Sequence, residues 1–168
     1  MRHVDRAEAL AIVARAAEAL PACFEGCAIC GMAAGHPAGI EVLAERPAAV
    51  AVLDWLGVRR GHALVILRRH VESVAEVPWS EYVEVQRLAW EAARAMERVL
   101  SPKRVFVASL GSATRLPISF PHHHVHVIPL YDGGEIDRPS EVLTWRNGVA
   151  VYAPGEAAEL GAALRAAW

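Results

Sequence analysis

Over residues 5–20 the chain interleaves Ala, Leu and Ile with Arg and Glu, and Pro21 closes the run. Apolar positions recurring at three-and-four spacing predict an amphipathic helix there. "CFEGCAICGMAAGHPAG" (23–39) is small, glycine-rich and aperiodic, and is read as a loop. "IEVLAERPAAVAVLD" (40–54) predicts two short strands around a turn near Glu45 to Pro47, and "GHALVILRRH" (61–70) a strand that ends at its arginines. Residues 79–100 return to helical spacing, with Ser80 placed to cap the start and Ser101-Pro102 to stop it. "RVFVASL" (104–110) reads as a strand, "GSATRLPIS" (111–119) as a loop and "HHHVHVIPL" (122–130) as another strand. Beyond Gly133-Gly134 the pattern weakens to a strand at 149–152 and a helix at 156–166. Helices separated by antiparallel-looking strands predict an α+β fold. The expected organisation is a helical extension (1–22), a core (23–135) and a tail packed on that core (136–168).

The densest chemistry lies in "SFPHHHVHVIPL" (119–130), which carries four of the eight histidines. Side chains in a strand repeat their facing every second residue, so His122, His124 and His126 share a face, roughly 6.5–7 Å apart. His123, Val125 and Val127 point the other way, toward packing. Three uses are open. The imidazoles can simply hydrogen-bond on an exposed sheet face. They can hold a catalytic metal, which ordinarily recruits a nearby carboxylate, and none follows until Asp132. Or one neutral imidazole can be a nucleophile toward phosphorus, with its neighbours fixing the tautomer.

Composition narrows the field. The 168 residues are 54% hydrophobic and 21% charged, a globular balance sufficient for one core. A net charge of -2 gives no electrostatic basis for general nucleic-acid binding. Arg59, Arg60, Arg68 and Arg69 form a local basic patch, either a solvated rim or a phosphate-attracting mouth. No stretch is long and apolar enough for a membrane span. Three cysteines without a secretory leader point to a reducing, cytoplasmic setting. Cys27-Ala-Ile-Cys30 has the knuckle spacing that lets two thiolates grip one zinc ion.

"HHHVHVI" fits His-φ-His-φ-His-φ-φ and resembles the signature of the histidine triad (HIT) superfamily, with His123 at a usually apolar place. "GHALVILRRHVESV" (61–74) is similar to that family's GHxLVIPKxHxEN segment, and "AVAVLDWLGVRRGH" (49–62) to the strand before it. The Cys27–Cys30 pair resembles the Cys-x-x-Cys of many bacterial members, so the likeness runs over residues 27–131. The resemblance implies a five-stranded antiparallel sheet with packed helices, to which residues 5–20 add an extra helix. It implies a hydrolase or transferase that cleaves at the α-phosphate of a nucleoside 5′-phosphate derivative through a nucleotidyl-histidine. His124 would be the nucleophile, with His126 and His62 on phosphate and Ser119 hydrogen-bonding near the leaving atom. Asp54 would hold the ribose diol. His70 and His122 would complete a closed Cys₂His₂ set with Cys27 and Cys30, hence a structural zinc and no cofactor in the chemistry. Many relatives are two-fold dimers through the long helix, here 80–100, where Trp90 and Met96 are candidates for core or interface. Trp145 and Trp168 are candidates to approach the nucleotide from the tail.

Three departures stand out. Ser112 falls near a family Asn and Ile118 replaces a Gln, both amide donors to phosphate; Gly111 to Ala113 backbone or Arg115 are candidate substitutes. Leu67 replaces a proline, and Leu130 an arginine. Ile128 stands where uridylyltransferases of the His-x-His-x-Gln type carry glutamine. A nucleotidyl hydrolase is therefore favoured over a hexose-1-phosphate transferase. The alternatives carried forward are a nucleotide-binding protein without turnover, a dinucleoside polyphosphate phosphorylase and a metal-dependent hydrolase.

Overall fold

The computed structural model describes residues 1–111 and 120–168. Its centre is a five-stranded antiparallel sheet in the order β2-β3-β4-β6-β5, built from Val42–Glu45, Ala49–Leu53, Ala63–Leu67, Arg104–Ala108 (β5) and His124–Leu130 (β6). β3 and β4 are buried along their whole length, because both faces of the sheet are covered. Their even alternation divides them between two cores. Ala49, Ala51, Leu53, Ala63, Val65 and Leu67 face the long helix α3 (Trp79–Leu100), together with Val125 and Val127 of β6. Val50, Val52, Leu64 and Ile66 face the short helix α2 (Ala28–Ala33), through Ile29 and Met32.

α3 buries Val85, Leu88, Ala89, Ala92, Ala95 and Met96, the stripe its spacing predicts. Met96 is core, whereas Trp90 is 56% exposed. Ser80 is not the cap: the helix starts at Trp79 after Pro78, and no side chain caps it. Pro78 sets an extended entry (φ -57°, ψ 145°), which leaves Ser80 inside the first turn. α2 is a second correction, since the sequence pattern predicts a loop over residues 28–33. Cys27 caps it, its Sγ accepting from the Cys30 N–H at 3.4 Å.

Chain outside the central sheet covers both of its faces. α1 (Arg6–Glu18) is capped by Asp5, which accepts from the Glu8 N–H at 2.8 Å. A three-residue strand missed in the sequence, β1 (Arg2–Val4), pairs antiparallel with β7 (Val149–Val151). Val4 and Val149 then bury with Leu56, Val58, Ile128, Leu130 and Val142. The approach is close: Gly148, at φ +74°, would put a Cβ 2.2 Å from the Val4 carbonyl oxygen. α4 (Pro139–Val142) precedes β7, and α5 (Glu156–Ala166) packs beside α3 and β2 (Val42–Glu45). Among the described residues no helix is long and apolar enough to cross a membrane.

The Asp54–His62 turn is tied to the chain after β6 by Arg59 and Asp137. Arg59 Nε and Nη2 donate to Asp137 Oδ1 at 3.1 Å, and the Asp132 and Gly133 N–H groups donate to Oδ2 at 2.9 Å. Removing a buried partner leaves a charge and two N–H groups without an acceptor. Asp137→Ala should lower the unfolding free energy by about 3–5 kcal/mol in denaturant titration; a loss below about 1 kcal/mol would place this turn outside the cooperative unit.

Candidate functional site

Register brings the histidines together. Leu64 pairs with His126 and Ile66 with His124, so the two side chains sit on the α2 side of the sheet. His62, one residue before β4 (Ala63–Leu67), comes alongside: its Nε2 lies 3.1 Å from His126 Nδ1. The His124 and His126 rings meet edge to face at 4.8 Å between centroids. β6 begins at His124, not His122, and that difference separates two jobs. The His122 ring turns to the cysteines, while its carbonyl accepts from His124 Nδ1 at 2.5 Å. A carbonyl only accepts, so Nδ1 carries the proton and Nε2 of His124 keeps a lone pair. His123 faces Tyr82 of α3 at 6.3 Å, buried, with its Nε2 unpartnered among the described residues.

Burial keeps these imidazoles neutral. It lowers His62 to about 3, helped by His124 and Arg59, and lowers His126 well below the usual value, helped by His62 and His124. His124 is also lowered by burial, partly opposed by the His122 carbonyl and Asp54. The Val58 N–H donates to His62 Nδ1 at 3.3 Å, which puts the ring proton on Nε2, aimed at His126 Nδ1. Asp54 Oδ2 lies 3.2 Å from that same Nδ1. Two lone pairs there repel unless the carboxyl is protonated, and burial raises Asp54 to about 6 although the Leu56 N–H and His124 oppose it. Asp54 Oδ1 accepts from Leu56 N–H at 3.0 Å.

Asp54, His62, His124 and His126 all line one cavity of about 240 Å³. Its remaining walls are mostly apolar: Ile29 and Met32 of α2, Trp55, Phe120, and Trp145 beside Phe120 at 6.0 Å. The sequence did not foretell that α1 contributes Arg6, Leu10 and Val13 to this wall. Its period marked an apolar face but not what that face would meet. Trp145 reaches the cavity, whereas Trp168 does not; its Nε1 donates to Glu91 on α3. The four arginines of the basic patch are likewise elsewhere: Arg59 on Asp137, Arg60 facing Glu156, Arg68 facing Glu45 and Arg69 on Glu81. Leu130 is buried under Val4 and Val142. Ser112, Arg115, Ile118 and Ser119 lie outside the described residues.

The metal set is assembled. Donor atoms of Cys27, Cys30, His70 and His122 lie within 4.8 Å of one another. Cys30 Sγ is 3.3 Å from Nδ1 of both His70 and His122, and Cys27 Sγ is 3.6 Å from His122 Nδ1. A zinc tetrahedron has S···N edges of about 3.6 Å, so the donors fit the ion. His122 Nε2 donates to the Leu67 carbonyl at 2.6 Å, which turns the Nδ1 lone pair to the metal. Burial and the neighbouring Cys27 push the Cys30 thiol up to about 12, a crowding that a cation relieves. Four protein ligands leave no open position, which suits a structural zinc.

Residues 38–133 match the HIT domain family, and the chain belongs to that family. An uncharacterized HIT-like protein of Mycoplasma genitalium is 28% identical over 109 residues, 65% of this chain and 76% of that protein. A Zn-bound histidine triad family protein from Mycobacterium smegmatis shares the fold at a TM-score of 0.61, with 23% identity over 84% of this chain and 91% of its own. A hypothetical histidine triad nucleotide-binding protein from Sulfolobus tokodaii does so at 0.65, with 19% identity over the same shares.

Chelating the zinc should lower the melting temperature by about 10 °C or more, and zinc alone should restore it. An unchanged melting temperature would remove the metal from the folding balance. Acid acts through His62 and Asp54 with opposite signs. Unfolded His62 takes up a proton below about pH 6.5 that the folded ring, at about 3, refuses, so stability is full above that range and falls with pH. Folded Asp54 takes one up below about 6 that the unfolded carboxyl, at 3.8, refuses, so it returns stability between pH 6 and 4. Asp54→Asn should therefore steepen the loss over pH 6–4 by about 1.4 kcal/mol per unit in zinc-saturated denaturant titrations. A wild-type slope in the variant would show that Asp54 is ionised throughout.

Proposed function

We propose that the protein is a nucleotidyl hydrolase or transferase that cleaves nucleoside 5′-phosphate derivatives at the α-phosphorus through His124. The observation that carries this reading is the 2.5 Å bond from His124 Nδ1–H to the His122 carbonyl. It leaves the Nε2 lone pair available on a neutral ring inside a cavity. The Sulfolobus tokodaii relative, a hypothetical histidine triad nucleotide-binding protein, supports the ligand class.

In the first step the Nε2 pair forms a bond to phosphorus, the bond from phosphorus to the leaving atom breaks, and the leaving group departs with the pair of the broken bond and takes a proton from solvent. Ser119 is the residue we assign to hydrogen-bond the leaving atom. In the second step water attacks phosphorus, the N–P bond breaks with its pair returning to Nε2, and the proton the water loses returns to solvent, replacing the one taken up in the first step. His126, whose Nδ1 accepts from His62, presents Nε2–H as the donor to phosphate oxygen. Asp54 is assigned to the ribose diol, which it can accept through both oxygens. Zinc holds the strand entry and takes no part in these steps. The unpaired cysteines fit a cytoplasmic setting, and the exposed Trp79, Val83 and Trp90 of α3 fit a second copy.

A second reading, nucleotide binding without turnover, is favoured by Leu130, which is sealed in the core where relatives place a cation. Release of nucleoside monophosphate from a phosphoramidate, a lysine–nucleotide conjugate and dinucleoside tri- and tetraphosphates separates the two. His124→Ala should lower release from the best substrate by about 10³-fold or more while binding persists. Equal rates in wild type and variant would remove His124 as nucleophile. Binding with no release from any substrate would favour the second reading, and phosphate-dependent release would identify a phosphorylase.

A further inference from the structure

The Asp54–His62 turn carries two groups of the cavity wall, and its shape decides how His62 presents its ring to His126. The turn closes tightly on that histidine: a Cβ on Gly57 would come 2.9 Å from the His62 Cβ. Two of its peptide units are each held at both ends.

A trans peptide points its C=O and its N–H in opposite directions, so whatever holds one end aims the other. The unit between Gly57 and Val58 aims its N–H at His62 Nδ1, 3.3 Å away, and that bond puts the ring proton on Nε2. Its carbonyl end accepts from the Ala150 N–H of β7 at 2.9 Å. The unit between Arg60 and Gly61 lies one residue ahead of His62. Its N–H donates to the Tyr152 hydroxyl at 2.9 Å, and its carbonyl accepts from the Tyr131 hydroxyl at 2.7 Å. Gly61 is buried, so its N–H is shielded from water and depends on the tyrosine oxygen.

Tyr131 follows β6, while Ala150 and Tyr152 lie beyond the 38–133 span that matches the HIT domain. β7 runs between β1 on one side and Gly57 on the other. None of the three residues lines the cavity. The ring proton they control matters one histidine further on. With Nε2–H, His62 donates to His126 Nδ1 and leaves the His126 proton on its own Nε2; with Nδ1–H, that relation reverses and His126 loses its donor.

We infer that Ala150, Tyr152 and Tyr131 are positioning residues of the site, which fix the two peptides that set the placement and the tautomer of His62. The consequence for turnover rests on the hydrolase reading; the consequence for the ring proton does not.

The test uses the zinc-loaded full chain with isotope-labelled histidine. Two-bond proton–nitrogen correlation spectra read the ring nitrogens of His62, whose signals the His62→Gln variant identifies. Wild type should show a protonated Nε2 and a bare Nδ1. Tyr131→Phe and Tyr152→Phe keep the rings and remove only the hydroxyls. Each should move His62 toward a mixture of tautomers at a temperature where the variant is fully folded, a change that lost stability alone would not produce. With the best substrate of the set above, each should lower kcat by about 10-fold while KM stays within about twofold. Both hydroxyls grip one peptide, so the double variant should lose about 10- to 30-fold, short of the roughly 100-fold product of the singles. A wild-type His62 protonated on Nδ1, or a His62 spectrum unchanged in both variants, would overturn the inference. So would losses that multiply, or an unchanged kcat in both variants of an active protein. A tautomer that shifts in a protein that turns over none of the substrates supports the positioning role and removes only the hydrolase reading.

Discussion

One residue, His122, holds the two halves of the site in a fixed relation. Its Nδ1 faces Cys27 and Cys30, its Nε2–H is taken by the Leu67 carbonyl, and its own carbonyl takes the proton of His124. A metal cluster thus fixes a backbone oxygen, and that oxygen fixes a tautomer. The energy of the arrangement lies in folding, where four crowded Cys and His donors are costly without their cation. The benefit appears at the first residue of β6, as a lone pair that does not have to be generated by deprotonation.

The neighbouring histidines are set by a different device, burial. His62 and His126 touch through 3.1 Å, and neither can charge at neutral pH. Backbone again decides the direction of the protons, because Val58 N–H occupies His62 Nδ1. Asp54 closes the chain, its carboxyl raised by the same burial to about 6. The imidazoles, which would repel if charged, sit together because burial holds them neutral.

Much of this was legible in the sequence. The strands of the sheet and α3 followed from period-two and period-3.6 runs, and the spacings of "CAIC" and "HHHVHV" named the metal set and the triad. What was not legible arose from contacts between segments distant in sequence. β1 is three residues long, too short to leave a period, and exists because β7 pairs with it. α2 hides among glycines because its start depends on a cysteine cap. The destination of α1 was invisible for a simpler reason: an apolar helix face is the same pattern whether it meets a core or lines a cavity. The basic patch misled in the other direction, since arginines adjacent in sequence were each engaged by a different carboxylate.

Gly148 governs how the outer segments close. β1 docks within contact of a backbone position that has no room for a methyl group. Any side chain there would collide with the Val4 carbonyl and the His3 ring, so the fit of β1 against β7 depends on one missing methyl group. The cover over the sheet is thus keyed to a residue that has no part in the metal set or the triad.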